Sequence, residues 1–107
     1  MPERIGSDEV SAALESLPGW GIEEGKLHRE FEFSDFRRAF AFMTSVALAA
    51  ESADHHPEWR NVYNKVEVWL TTHDAGGITQ RDLDLARVMD GLGPPDREAA
   101  VEFEPHR

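Results

Sequence analysis

Residues 59–72, Trp-Arg-Asn-Val-Tyr-Asn-Lys-Val-Glu-Val-Trp-Leu-Thr-Thr, constrain the fold more than any other stretch of the chain. β-Branched and aromatic side chains dominate the run, and these fit a pleated surface better than a helix. Strands most often run about 5–6 residues, so an extended segment of this length calls for a reversal. Asn64-Lys65 is the natural place for it, giving a hairpin of strands 59–63 and 66–72; one long strand is the competing reading. A second extended segment lies at 27–33. Leu27, Arg29, Phe31 and Phe33 fall on one side and His28, Glu30 and Glu32 on the other, the period of two that marks a half-buried strand with one wet face. Trp20 to Glu23 form a short strand before it, joined through a turn at Glu24-Gly25.

Helical signals fill the intervals. Residues 7–17 carry Val10, Ala13, Leu14 and Leu17 on one face, with Ser7 as the expected N-cap and Pro18-Gly19 as the stop. A longer helix is expected over 35–51, capped by Ser34. Its apolar positions, Phe36, Ala39, Phe40, Phe42, Met43, Val46, Ala47 and Ala50, span an arc of roughly 160°, wider than the ~100° stripe of a helix covered on one side. Leu48 falls outside that arc. One sheet layer cannot cover all of it, so the helix is expected to pack against a symmetry mate in a homo-oligomer, a closed dimer or tetramer. Ala53 to Glu58 form a loop ahead of Trp59, and Ala75-Gly76-Gly77 a flexible turn. Thr79-Gln80-Arg81-Asp82 matches a capping box opening a third helix, with Leu85, Met89 and Leu92 as its stripe and Gly91 and Gly93-Pro94-Pro95 at its end.

The order α-β-β-α-β-β-α predicts an α+β fold, a four-stranded antiparallel sheet covered by helices on one face. A chain of 107 residues fits one domain, here residues 1–92. Residues 93–107 read as an acidic C-terminal tail, in which Val101 to Glu104 could add an edge strand.

Composition narrows the function. The absence of cysteine excludes a disulfide scaffold, a thiol nucleophile and a zinc ribbon. A net charge of -10 argues against nucleic acid or an anionic membrane as partner. No long apolar run spans a bilayer and the start lacks the pattern of a signal peptide, so a cytoplasmic location is expected.

The histidines carry the chemical signal. His55 and His56 precede Pro57, and His73 stands where the extended run ends. Imidazole, with an ordinary pKa of about 6.5, both gives and takes protons near neutrality, which suits a reaction needing acid and base in one pocket. Glu51 lies one turn before His55, and Asp82 could orient an imidazole from the start of the third helix. Plainer explanations exist for each. Adjacent histidines in a loop are often polar surface, and a capping box by itself accounts for Asp82. Trp59 and Tyr63 read as sheet packing rather than as stacking platforms. Three histidines can hold zinc, but neighbouring histidines rarely aim both rings at one ion, so no metal is expected.

Longer motifs say more. Glu51-Ser52-Ala53-Asp54-His55-His56-Pro57-Glu58-Trp59, then Asn61-Val62-Tyr63-Asn64-Lys65-Val66, Thr71-Thr72-His73-Asp74, Gly77-Ile78-Thr79 and Arg81-Asp82 closely resemble the pterin-4a-carbinolamine dehydratases. Leu17-Pro18-Gly19-Trp20 and Phe42-Met43-Thr44 extend the resemblance, which covers about residues 7–92. It implies an α+β fold and dehydration of 4a-hydroxytetrahydropterins to quinonoid dihydropterins, with no metal or other cofactor. The reaction recycles the pterin used by aromatic amino acid hydroxylases, which implies functional coupling to such an enzyme. It also implies dimers or tetramers.

By the same resemblance the catalytic residues are His55, His56 and His73. The pterin-contacting residues are Glu51, Asp54, His55, His56 and Pro57 in one segment and Thr72, His73, Asp74 and Ala75 in the other, with Asp82 orienting an imidazole. Proton transfer falls to His55 and His73, and His56 mainly holds the pterin; Glu51, Asp54 and Asp74 are expected to favour imidazolium. The competing reading is a non-catalytic binding module of the same fold, serving as a transcriptional coactivator or an assembly chaperone.

Overall fold

A computed structural model describes residues 3–94. The segment 95–107, which holds most of the proposed tail and the optional strand Val101 to Glu104, lies outside the described residues. The elements run α1 (Ser7–Leu14), β1 (Gly21–Glu23), β2 (Lys26–Glu32), α2 (Phe36–Ala53), β3 (Glu58–Val62), β4 (Lys65–Leu70), a 3-10 turn (His73–Ala75) and α3 (Gln80–Leu92). The strands form one antiparallel sheet in the order β1-β2-β4-β3, the expected α+β arrangement.

The period of two places the two faces. Leu27 pairs with Leu70 and Phe31 with Val66, and all four are buried toward the helices together with Val68, Val46, Phe42, Leu85 and Met89. Arg29 shares that face through two contacts. It pairs with Asp90 of α3 at 2.7 Å, and its guanidinium lies 4.2 Å from the centre of the Phe31 ring. The other face is polar: Lys26, His28, Glu58, Arg60 and Glu67 stand on it, with Trp69 between. His28 is therefore on the wet face as expected, its ring beside Trp69 at 5.3 Å. Among the described residues, no helix is long and apolar enough to cross a membrane.

Several boundaries differ from the sequence expectation, each for a local reason. α1 stops at Leu14, and Gly6 rather than Ser7 is its N-cap. Asp35, not Ser34, caps α2 by accepting from the Arg38 N–H at 2.9 Å. Asn64 ties the preceding Phe33 to the β3–β4 turn with bonds to both its N–H and its C=O, so the cap falls one residue beyond Ser34. The hairpin reverses at Tyr63-Asn64, with Tyr63 in the left-handed region (φ 51) and 62% exposed, so it is a turn residue rather than sheet packing. β4 ends at Leu70 rather than at 72, because its partner β2 leaves it after Leu27. The expected flexible turn is instead an ordered 3-10 turn, closed by Gly76 at φ 74 and by mutual bonds between Thr72 and Gly77. On α3, Leu85 and Met89 are buried as expected, but Leu92 is exposed; Leu83 and Ala86 complete the buried face.

Candidate active site

The β3–β4 hairpin brings the histidines to one end of the sheet. Glu58 opens β3 and pairs with Trp69, next to the last residue of β4. His55 precedes Glu58 by three residues and His73 follows Leu70 by three, so both lie within a few residues of the same sheet edge. The end of α2 fixes the first of them. Asp54 adopts the left-handed conformation (φ 54) that closes a helix, and the His55 N–H donates back to Ala50 O at 3.0 Å. This six-residue closure locks the His55 backbone where it leaves the helix.

Asp82 organises the buried part. It is fully buried on the first turn of α3, and His55 is 8% exposed. Its Oδ2 accepts from the Thr79 N–H at 2.9 Å, the capping-box bond, and from the Thr72 hydroxyl at 2.8 Å. Since Thr72 has one hydroxyl hydrogen and gives it to Asp82, Thr79 must donate across the 2.8 Å Thr79–Thr72 contact, while its own oxygen accepts from the Arg81 N–H. The remaining oxygen, Oδ1, lies 2.6 Å from His55 Nε2. With the carboxylate as acceptor, the hydrogen belongs to Nε2. Among the described residues, no hydrogen bond reaches Nδ1. Asp82 thus caps α3 and also hydrogen-bonds the His55 ring.

The other two histidines sit in the open. His56 Nε2 meets Glu51 Oε1 at 2.9 Å and His73 Nε2 meets Glu58 Oε2 at 3.1 Å, with all four side chains substantially exposed. Glu51 therefore reaches a histidine from one turn back along α2. Asp54 and Asp74 do not: neither makes a side-chain hydrogen bond or ion pair with a described residue, so the carboxylates that meet the imidazoles are Asp82, Glu51 and Glu58. Pro57 is half-buried beside His56, and Asp74 and Ala75 continue the 3-10 turn from His73.

Glu58 is the residue that sequence reasoning missed. The signal for it was the hairpin register, which sets position 58 opposite 69 and so beside the exit of β4. Its carboxyl is held below the usual range chiefly by the hydrogen bond from Lys26. Away from the histidine end, Glu23, His28 and Glu67 also gather donor atoms within 4.8 Å of one another; His28 is paired there with both carboxylates.

Comparison with known proteins gives the family. A relative from Rhodopseudomonas palustris (strain BisB18), provisionally named pterin-4-alpha-carbinolamine dehydratase, is 57% identical over 94 residues, covering 86% of this chain and 93% of its own. A provisionally named counterpart from Solibacter usitatus is 51% identical over 92 residues, covering 86% and 97%. A crystal structure from Brucella melitensis, described as a transcriptional coactivator/pterin dehydratase, superposes with a TM-score of 0.83 at 44% identity, covering 86% of this chain and all of that one. The family profile for pterin 4 alpha carbinolamine dehydratase matches residues 3–92. The chain belongs to the pterin 4 alpha carbinolamine dehydratase family.

Proposed function

We propose that this protein dehydrates 4a-hydroxytetrahydropterins to quinonoid dihydropterins by histidine acid–base catalysis. The reaction breaks the C4a–O bond, with a proton delivered to the departing hydroxyl so that it leaves as water. The N5 proton is removed and the C4a=N5 bond forms. One base and one acid suffice, each contributing roughly 10²–10⁴-fold.

The observation that carries the reading is the 2.6 Å bond between buried Asp82 and His55. It holds Nε2–H as donor, which leaves Nδ1 as the atom to take the N5 proton. His73, at the same sheet end and paired with Glu58, supplies the proton to the hydroxyl. His56 holds the pterin, with Glu51, Asp54 and Pro57 on its side and Thr72, Asp74 and Ala75 on the other. No step calls for a metal or another cofactor. The test is dehydration of a 4a-hydroxytetrahydropterin by the purified protein before and after dialysis against EDTA. Turnover should be unchanged by chelation; turnover abolished by EDTA and restored by zinc would overturn the acid–base reading.

The proposal includes a setting. The catalytic domain is residues 1–92, nearly the span of the family match, and leaves 93–107 outside it. The protein acts in the cytoplasm, in pterin recycling coupled to an aromatic amino acid hydroxylase. It acts as a homodimer or homotetramer, since α2 buries Ala39, Phe42, Val46 and Ala50 but leaves Phe36 and Phe40, on the same apolar arc, about half exposed. Light scattering should give a mass of two or four chains, and Phe40→Glu should lower it; a monomer at micromolar concentration would contradict the assembly. The description of the Brucella relative favours one second reading, a protein-binding role like that of a coactivator. Absence of any turnover in the assay above would leave that role in place of catalysis.

A further inference from the structure

We infer that Lys26 and Glu58 form a positioning pair that sets the orientation and proton of His73. The inference rests on the proposed role of His73 and adds two residues to it. Strands β2 and β3 are not neighbours; β4 lies between them, which puts them roughly 10 Å apart. The Lys26 ammonium nevertheless reaches Glu58 Oε1 at 2.7 Å. It does so at the end of β4, whose last pairing with β2 is at Leu70 and which then leads on to His73. The ion pair therefore closes over the exit of β4, and the second oxygen of the same carboxylate, Oε2, meets His73 Nε2 at 3.1 Å.

Both oxygens of Glu58 are thus assigned, one to a fixed cation and one to the imidazole. A carboxylate anchored at one end can keep a hydrogen on Nε2 of His73 and hold the ring still, so that the proton His73 delivers leaves from Nδ1; an unanchored glutamate on an open face would not do this. The charged groups facing Glu58 are Lys26 from β2 and His73 from the 3-10 turn; its cross-strand neighbour on β4 is Trp69, which does not titrate. Lys26 also keeps the Glu58 carboxyl below its usual range, so the acceptor stays charged as the medium turns acidic. Loss of the ammonium would let Glu58 take up a proton at higher pH and release its hold on the ring.

The test uses Lys26→Met, Lys26→Arg and Glu58→Ala in the full chain, with two readouts. One is the pH profile of kcat. The other is the 15N shift pattern of His73, which distinguishes the Nε2–H from the Nδ1–H form. Glu58→Ala should lower kcat by roughly tenfold with KM little changed, a smaller loss than removal of a proton-transfer group itself. Lys26→Met should move the acid limb of the profile to higher pH, and Lys26→Arg should restore it. Both Glu58→Ala and Lys26→Met should shift His73 away from the Nε2–H form. Wild-type profiles and an unchanged 15N pattern in both variants would overturn the positioning pair. If His73→Ala left turnover intact, the catalytic reading of His73 would fail instead; the 15N pattern would still decide whether Lys26 and Glu58 position the ring.

Discussion

His55 and His73 each face a carboxylate, yet the two pairs are built differently. Asp82 and His55 are buried, and the carboxylate is held by three donors from three places: the Thr79 backbone, the Thr72 hydroxyl and the imidazole. Glu58 and His73 are exposed, and their pair hangs on a lysine from another strand. Burial makes the first pair rigid and costly to break, because every group left behind would lose its partner where water cannot replace it. Exposure makes the second pair cheap, salt-sensitive and adjustable. In the proposed mechanism the site would couple an imidazole fixed by burial with one held by an exposed ion-pair relay.

That contrast can be broken from the buried side first. Asp82→Ala should cost about 3 kcal/mol of stability in urea unfolding, since it strands the Thr72 hydroxyl, the Thr79 N–H and His55 Nε2 together. Activity should fall with it, even at temperatures where the variant is folded. A stability loss no larger than that of an exposed pair would show that the knot around Asp82 is not the structural centre proposed.

Salt sharpens the comparison next. Raising ionic strength at neutral pH should weaken the His73–Glu58 and His56–Glu51 contacts and leave His55–Asp82 in place, because screening acts on exposed charges. Imidazole NMR shifts of the three histidines would show it as movement at two rings and none at the third.

Acid probes the same pair by linkage. Glu58 has a folded pKa below its ordinary 4.5, so its contribution to stability is fully present above 4.5 and is lost as pH falls through the lowered value. Urea midpoints measured downward from pH 5 should fall less steeply in Glu58→Gln than in the wild type. The smallest effect is expected at Glu51, the most exposed partner: Glu51→Gln should leave the urea midpoint within error and change turnover only a few-fold.

Legibility in the sequence followed the same divide. Local signals were readable wherever one segment decides the outcome. The Thr79–Asp82 capping box, the alternation of β2 and the stop at the end of α2 all lie within a few residues. The cap of α2 was misplaced because Ser34 and Asp35 are both good caps, and a distant residue, Asn64, decides between them. The three histidines were visible through motif resemblance, but their partners depended on tertiary structure. Asp82 reaches His55 only after α3 folds back onto the end of α2. Glu58 reaches His73 only once the hairpin register is set, and Lys26 joins them from a strand that is not a neighbour. Asp54 and Asp74, the nearest carboxylates in sequence, are not the ones that touch the rings.

The most direct test of the account is kcat for dehydration of a 4a-hydroxytetrahydropterin by His55→Ala and His73→Ala, each shown folded by circular dichroism. The account predicts a loss of roughly 10²-fold or more in each single variant, and little further loss in the double variant if the two act as a unit. Turnover near that of the wild type in both single variants would contradict it and remove this histidine pair from the chemistry.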